Sequence, residues 1–305
     1  MAFHADHLSL SQSAGPGRRD TLFHESLRDK AERWALGLAW AMMPGRVSGL
    51  PHLAKLYFSD LLAPDYALPD PERALANPPG LAGIVHDLSL PTLLEAHRRG
   101  LYPFAHVGPI KWWSPATRSL LFFDELHIAK RLRRQMRQGQ YTVTFDRDFD
   151  GVIKACAGQR TGRWHVTWIT PRIMHAYAEA FDAGHAHSFE VWNDKGELAG
   201  GGYGVAVGNS FVTESQFSRE PNTSKIGFTV LNWHLAKWGF VFNDGKLLTP
   251  TTRDMGFREV PRWDFMARLR QADRQSGRVG RWQTEADVAT VADWQPQART
   301  EKPKV

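Results

Sequence analysis

The chain divides by hydrophobic spacing. From Leu22 to Met43 apolar residues recur at Leu27, Ala31, Trp34, Leu38 and Met42, the repeat of one helix face, and Pro44-Gly45 ends the run. Leu53 to Leu62 has the length of a second short helix, followed by a stretch broken by Pro64, Pro69, Pro71, Pro78 and Pro79. Leu90 to Arg99 reads as a helix with Ser89 as N-cap, Pro91 in its first turn and Gly100 as its stop. Leu90, Leu93, Leu94 and His97 share one side of it. A strand at Leu120 to Phe123 precedes a helix at Glu125 to Arg137. Tyr141 to Phe145 is strand-like, Phe149 to Ala157 helical, and Thr170-Pro171 opens a helix that runs to Phe181 and closes at Gly184.

The pattern then changes to short β-rich runs. Ser188 to Trp192, Glu197 to Val207 and Ser210 to Phe217 are separated by Asn193-Asp194-Lys195-Gly196 and by Gly208-Asn209, which predicts an antiparallel meander. The middle run lacks side chains at Gly200, Gly201, Gly202 and Gly204, a weakness in a strand unless something approaches its backbone. Glu190 and Glu214 stand inside the flanking apolar runs, where an unpaired carboxylate is costly. Two carboxylates beside bare backbone point to a site. After Ser218 to Ser224, an apolar helix opens at Lys225 and reaches Trp238, and its first N–H groups suit a phosphate or an ester oxygen. A strand from Phe240 to Asn243 ends at Asp244-Gly245. A meander followed by helix and strand is an α+β pattern.

Composition narrows the class. The 305 residues are enough for two domains, hydrophobic content is 42%, and no apolar run approaches the ~20 residues that cross a bilayer. No basic segment leads into an apolar one at the N-terminus, so no signal peptide and a cytoplasmic setting are expected. The single Cys156 excludes an intramolecular disulfide and a multi-cysteine zinc site, and reads as a small core residue. A net charge of +6 leans toward a polyanionic partner. Lys130, Arg133, Arg134 and Arg137 share one helix face with Arg131 at its flank, a single-sign stripe suited to phosphates. Tyr102, Phe104, Trp112 and Trp113, on loops, form either a hydrophobic brace or a stacking surface. His185 and His187 alternate as metal ligands can, but no further ligand motif accompanies them. Met1 to Asp20 is polar and expected to be disordered, and Arg274 to Val305 is expected to be flexible. The helix at 22–43 is either an accessory packed on the body or a docking helix.

Several words in the chain carry a resemblance. They are RRGLYPF at Arg98 to Phe104, KWWSP at Lys111 to Pro115, LHIAKRLRR at Leu126 to Arg134 and TWIT at Thr167 to Thr170. GHAHSFEVW at Gly184 to Trp192, GGGYGVAVG at Gly200 to Gly208, ESQFSREPNTSK at Glu214 to Lys225 and TPTTRDMGFREVPR at Thr249 to Arg262 continue the series. In order and spacing, from about Asn77 to Leu269, the chain resembles the leucyl/phenylalanyl-tRNA–protein transferase family of the N-degron pathway.

The resemblance implies a GNAT-type acyltransferase-like C-terminal domain at 131–273 and a smaller N-terminal α/β domain at 71–130. Outside it lie an extension at 1–70, helical at 22–43, and the tail at 274–305. It implies transfer of Leu, Phe or Met from charged tRNA to the α-amino group of a protein starting with Arg or Lys. Aminoacyl-tRNA is the co-substrate, with no metal or other cofactor, and a monomer is expected. Lys130, Arg131, Arg133, Arg134 and Arg137 then match a tRNA-binding cluster, and Trp168 and Phe104 match aromatics at the terminal adenosine. Phe189, Tyr203 and Phe217 are candidates for the aminoacyl pocket, with Ser218 and Ser224 in the loop near the nucleotide. Glu214 matches the family's site glutamate, leaving Glu190 structural. The family's Asp-Cys-Gln word reads Asp244-Gly245-Lys246 here, and Thr251 stands where a histidine is expected. Asp244 and Lys246 join Glu214 as catalytic candidates. A binding protein that keeps the tRNA grip without catalysis, or a GNAT-type acyltransferase with another donor, remain alternatives.

Overall fold

The computed structural model describes residues 16–64, 66–159 and 167–296; the polar sequence at 160–166 lies outside them. Three helices come first: α1 (Pro16–Leu22), α2 (Leu27–Ala41) and α3 (Leu50–Leu62). Ser26 starts α2 by accepting from the Asp29 N–H, while the Asp29 carboxylate accepts from the Ser26 N–H. Residues 16–20, expected to be disordered, are helical and anchored. Arg19 is buried, its Nε 3.0 Å from both Asp150 oxygens, and it also pairs with Asp182. Two carboxylates make that burial tolerable. Phe23, fully buried, follows at once.

The face that α2 turns to the body is not its apolar stripe. Leu27, Trp34, Leu38 and Met42 are exposed, whereas Arg33, Gly37 and Trp40 face inward. Arg33 donates to the His106 carbonyl at 2.9 Å, and Gly37 permits close approach, since a Cβ there would lie 2.3 Å from a Val107 methyl.

β1 (Leu81–Ile84), α4 (Leu90–Arg98), β2 (Tyr102–Pro103) and β3 (Lys111–Trp113) follow, with the strands in an antiparallel sheet of order β1-β3-β2. β4 (Thr117–Leu121) already belongs to a second sheet, so the segment 71–130 contributes strands to both. The chain continues through α5 (Lys130–Met136), β5 (Thr142–Phe145), α6 (Phe149–Ala157), α7 (Pro171–Asp182), β6 (Ala186–Trp192), β7 (Leu198–Val207) and β8 (Ser210–Ser218). It ends with α8 (Thr223–Lys237), β9 (Phe242–Lys246), α9 (Pro250–Asp254), β10 (Arg258–Pro261), α10 (Arg262–Asp273) and α11 (Val288–Ala292). The second sheet has the order β10-β4-β9-β8-β7-β6-β5 and is antiparallel except at β8 and β9, which α8 joins as the crossover a parallel pair requires. The architecture is α+β.

Helices cover both faces of that sheet. Leu93 of α4, Ile153 of α6, Tyr177 of α7 and Phe265 of α10 pack with Tyr203 and Val205 on one side. Met136 of α5, Leu231 of α8 and Val291 of α11 pack with Phe189 and Phe211 on the other. The glycines of β7 are occupied by the protein itself. A Cβ at Gly200 would meet Thr223, and one at Gly202 or Gly204 would meet the ring of Phe189 or Phe211. The segment after 274, expected to be flexible, is packed as far as its described residues go. Trp282 is 1% exposed and stacks on His187 with ring centroids 3.5 Å apart, and Val288, Val291 and Ala292 of α11 are buried. Four well-placed apolar residues outweigh the polar average of the segment.

Candidate active site

Glu214 is the extra residue at a bulge in β8, where the register against β7 shifts between Tyr203 and Gly204. A bulge re-aims a side chain, and this one enters a fully enclosed position between α4 and β9. Its Oε1 lies 2.9 Å from His97 Nε2 and its Oε2 2.6 Å from Lys246 Nζ. Lys246 Nζ also donates to the Glu214 carbonyl at 2.9 Å. Burial alone would raise the Glu214 pKa, but the Lys246 charge and the His97 hydrogen bond outweigh it and hold the carboxyl at about 2. His97, 1% exposed, has Nδ1 2.7 Å from the Leu93 carbonyl, an acceptor, so Nδ1 carries a hydrogen.

Lys246 ends β9 with φ at +65°, a left-handed conformation that costs a residue with a side chain roughly 1–2 kcal/mol. Its N–H donates to Asp244 Oδ1 at 2.8 Å, and its amine lies 5.3 Å from the Tyr102 ring centroid and 5.4 Å from that of Trp168. Asp244 is not a free carboxylate. It is buried against Arg118, whose Nε is 3.0 Å from both oxygens and whose Nη2 is 2.7 Å from Oδ2. Arg118 also donates to the Gly100 carbonyl at 2.9 Å and lies over the rings of Tyr102 and Phe265. The geometry makes Asp244 the anchor of Arg118 and of the Lys246 backbone.

The aromatic candidates separate into two groups. Trp168 and Phe104 adjoin with centroids 5.9 Å apart, and Trp168 meets Tyr177 at 6.5 Å, which meets Tyr203 at 5.3 Å. Both phenols are pushed well above their ordinary range, by burial first and then by the Glu214 charge. The Tyr203 hydroxyl has no hydrogen-bond partner among the described residues. Phe217 lies on this face against Gly201. Phe189, proposed from sequence as a pocket wall, is on the opposite face of the sheet, filling the space left by Gly202 and Gly227. Ser218 and Ser224 are also apart. Ser218 Oγ accepts from the Ser224 N–H at 3.0 Å and so caps the start of α8, four residues and roughly 13 Å along β8 from Glu214. Glu190 is structural: Ser188 and Thr144 hydroxyls donate to it at 2.5 and 2.6 Å, and burial pushes its pKa up to about 7.

The basic stripe on α5 is divided. Lys130, Arg131 and Arg134 are exposed. Arg133 donates to the carbonyls of Ala292 and Trp294, and Arg137 pairs with Asp293 at 2.6 Å, so both secure the C-terminal segment. α5 reaches the loop before α8 through Gln135, which accepts from Asn222 Nδ2 at 3.0 Å. A cavity of about 530 Å³ lies between the leading helices and the body, lined by Phe23, Arg33, Trp34, Ile110, Trp168 and His175. Trp168 is its link to the Lys246 cluster. His187, paired with Asp146 at 2.8 Å and stacked on Trp282, is committed to the core.

His97, Arg118 and Tyr177 were not among the residues singled out from sequence. Only His97 offered a signal, as a polar residue on the apolar side of its helix. No described helix is long and apolar enough to cross a membrane.

Comparisons with known proteins agree over most of the chain. Residues 120–270 match the family model for leucyl/phenylalanyl-tRNA protein transferase, and residues 86–116 match that for its N-terminal domain. The chain is 42% identical over 253 residues to a leucyl/phenylalanyl-tRNA–protein transferase of Alkalilimnicola ehrlichii, covering 82% of this chain and 98% of the relative. It is 48% identical over 227 residues to one of Pseudomonas syringae pv. syringae, covering 74% and 93%. The structure of L-PGS from Bacillus licheniformis is matched at a TM-score of 0.30 and 10% identity, over 55% of this chain and 53% of that one, too slight a likeness to bear on the fold. The leading helices α1 to α3 lie outside both family matches.

Proposed function

The chain belongs to the leucyl/phenylalanyl-tRNA–protein transferase family, and from that premise we propose that it moves leucine, phenylalanine or methionine from charged tRNA to the N-terminal α-amino group of proteins that begin with arginine or lysine. The observation that carries the reading is the convergence of Glu214 and Lys246 beside the Tyr102 and Trp168 rings. Aminolysis of an ester needs a neutral amine, a polarised carbonyl and a fixed adenosine. In this reading Trp168 and Phe104 stack on the adenosine, and Tyr203 and Phe217 border the apolar side chain. Lys246 donates to the reacting oxygens and Glu214 fixes its amine. Asp244 acts indirectly, holding Arg118 and the Lys246 backbone. Lys130, Arg131 and Arg134 meet tRNA phosphates, which position the acceptor stem without reading its sequence. Arg133, Arg137, Ser218 and Ser224 shape that surface, and Phe189 supports the sheet from behind.

We also propose a GNAT-type topology for 131–273, supported by the meander β6 to β8 and the parallel crossover to β9. The protein is proposed to act as a cytoplasmic monomer, and because the ester is already activated the reaction asks for no metal or nucleotide cofactor. The test is incubation of the purified protein with radiolabelled leucyl- or phenylalanyl-tRNA and peptides starting with Arg or Lys. Label is expected in the peptide. None, with an authentic transferase working alongside, overturns the reading. A second reading, tRNA binding without transfer, is favoured by one observation: Asp244, the residue matching the family's acidic position, is fully engaged by Arg118. It predicts tRNA affinity with a steep salt dependence and no turnover.

A further inference from the structure

Glu214 is a single buried carboxylate between two basic side chains, and the hydrogen bonds treat the two differently. His97 has its Nδ1 hydrogen committed to the Leu93 carbonyl at 2.7 Å. A bond from Nε2 to an ionised Glu214 therefore requires a second hydrogen on the ring. If it left, a nitrogen lone pair would face a carboxylate oxygen at 2.9 Å. The two contacts together call for a hydrogen on each ring nitrogen while Glu214 is ionised. Lys246 is not bound in this way. Two of its hydrogens go to Glu214 Oε2 and to the Glu214 carbonyl, and the third has no oxygen or nitrogen acceptor among the described residues, only the Tyr102 and Trp168 rings beside it. The amine can lose that third hydrogen and retain both bonds.

We propose that His97 is the fixed counter-charge of Glu214, a positioning residue that leaves Lys246 free to exchange one proton with the substrates. The inference rests on the transfer reaction proposed above. There the carbonyl–nitrogen bond forms, the bond from the carbonyl carbon to the ribose 3′-oxygen breaks, the amine loses one proton and the 3′-oxygen gains one. Lys246, an ammonium in the resting protein, first gives its third proton to solvent. The neutral amine then takes the proton from the attacking amine and, as ammonium again, returns it to the 3′-oxygen, so the balance closes. Without His97, a neutral Lys246 would leave Glu214 as a buried charge without a counter-ion, a cost that keeps the lysine protonated.

The remaining groups around the cluster do not supply that counter-charge. Tyr102 on β2, Tyr177 on α7 and Tyr203 on β7 are phenols that burial pushes upward, Tyr102 to about 12, so they are neutral near pH 7. Arg118 on β4 is paired directly with Asp244 on β9 at 2.7 Å and reaches Glu214 only through space, as the smaller influence. The local balance is left to His97 on α4, Glu214 on β8 and Lys246 on β9.

The test compares wild type with H97Q, which keeps a donor but carries no charge. The Lys246 Nζ resonance, assigned by its loss in K246Q, is titrated by NMR without tRNA. In H97Q its midpoint is expected to rise by about one pH unit or more, a tenfold change in proton affinity. The rising limb of kcat/KM against pH should move with it, at unchanged tRNA Kd. An unmoved lysine titration overturns the proposal even if activity falls. So does an H97Q effect on activity that is equally large in the K246Q background, since His97 would then act through packing. Should H97Q not fold, H97N gives the same titration. Because the NMR measurement needs no substrate, it stands apart from failure of the transfer reading, which would leave peptides unlabelled by wild type as well.

Discussion

Replacing Glu214 by glutamine keeps the shape of the side chain and removes the negative charge that Lys246 and His97 share. The carboxyl is held at about 2 against an ordinary 4.5, which by linkage corresponds to roughly 3 kcal/mol of folding stability. The folded value lies below the unfolded one. The contribution is therefore complete above about pH 4.5 and is lost as the pH falls toward about 2. E214Q lacks it and leaves the buried His97 and the partly buried Lys246 facing each other without a counter-charge, so at pH 7 it should be less stable by about 3–5 kcal/mol. Urea denaturation of both proteins across the acid range measures the difference. It should be level from neutral pH to about pH 5 and shrink below that. A difference under about 1 kcal/mol at neutral pH, the size expected of an exposed pair, or one that widens on acidification, refutes the coupling.

D244N should lower transfer with tRNA affinity intact, and should also cost about 3–5 kcal/mol of stability because Arg118 is left buried with its counter-charge removed. An unchanged denaturation midpoint would remove Asp244 as the anchor of Arg118. Alanine at Lys130, Arg131 and Arg134 together should weaken tRNA binding and flatten the slope of log K against log salt by about 2–3. A filter-binding series over salt that keeps the wild-type slope would place the tRNA elsewhere.

Local pattern made the meander legible, because β6, β7 and β8 alternate with turn residues that admit few other conformations. Glu214 stood out for the same reason, as a carboxylate inside an apolar strand. What local pattern could not show is which partner fills a space. The bare strip on β7 reads alike whether a ligand or the rings of Phe189 and Phe211 lie against it, and here it is the rings. The stripe on α5 reads as free charge because the carbonyls that engage Arg133 lie 159 and 161 residues later. Arg118 and Asp244 are 126 residues apart, and His97 and Glu214 are 117. The exposed stripe of α2 went astray differently. Gly37 and Arg33 decide which side docks, through close approach and one hydrogen bond, and hydrophobic periodicity weighs neither.

The clamp on Arg19 has a consequence in time. Its carboxylate partners, Asp150 and Asp182, lie 131 and 163 residues downstream. At synthesis rates of ~5–20 residues per second, roughly 7–26 s separate the emergence of Arg19 from that of Asp150. Through that interval α1 and α2 are outside the ribosome with their guanidinium unmatched and Phe23 uncovered, and a short helix without its packing surface is marginal in water. α1 is thus made well before it is secured, and it is the middle of the chain that secures it.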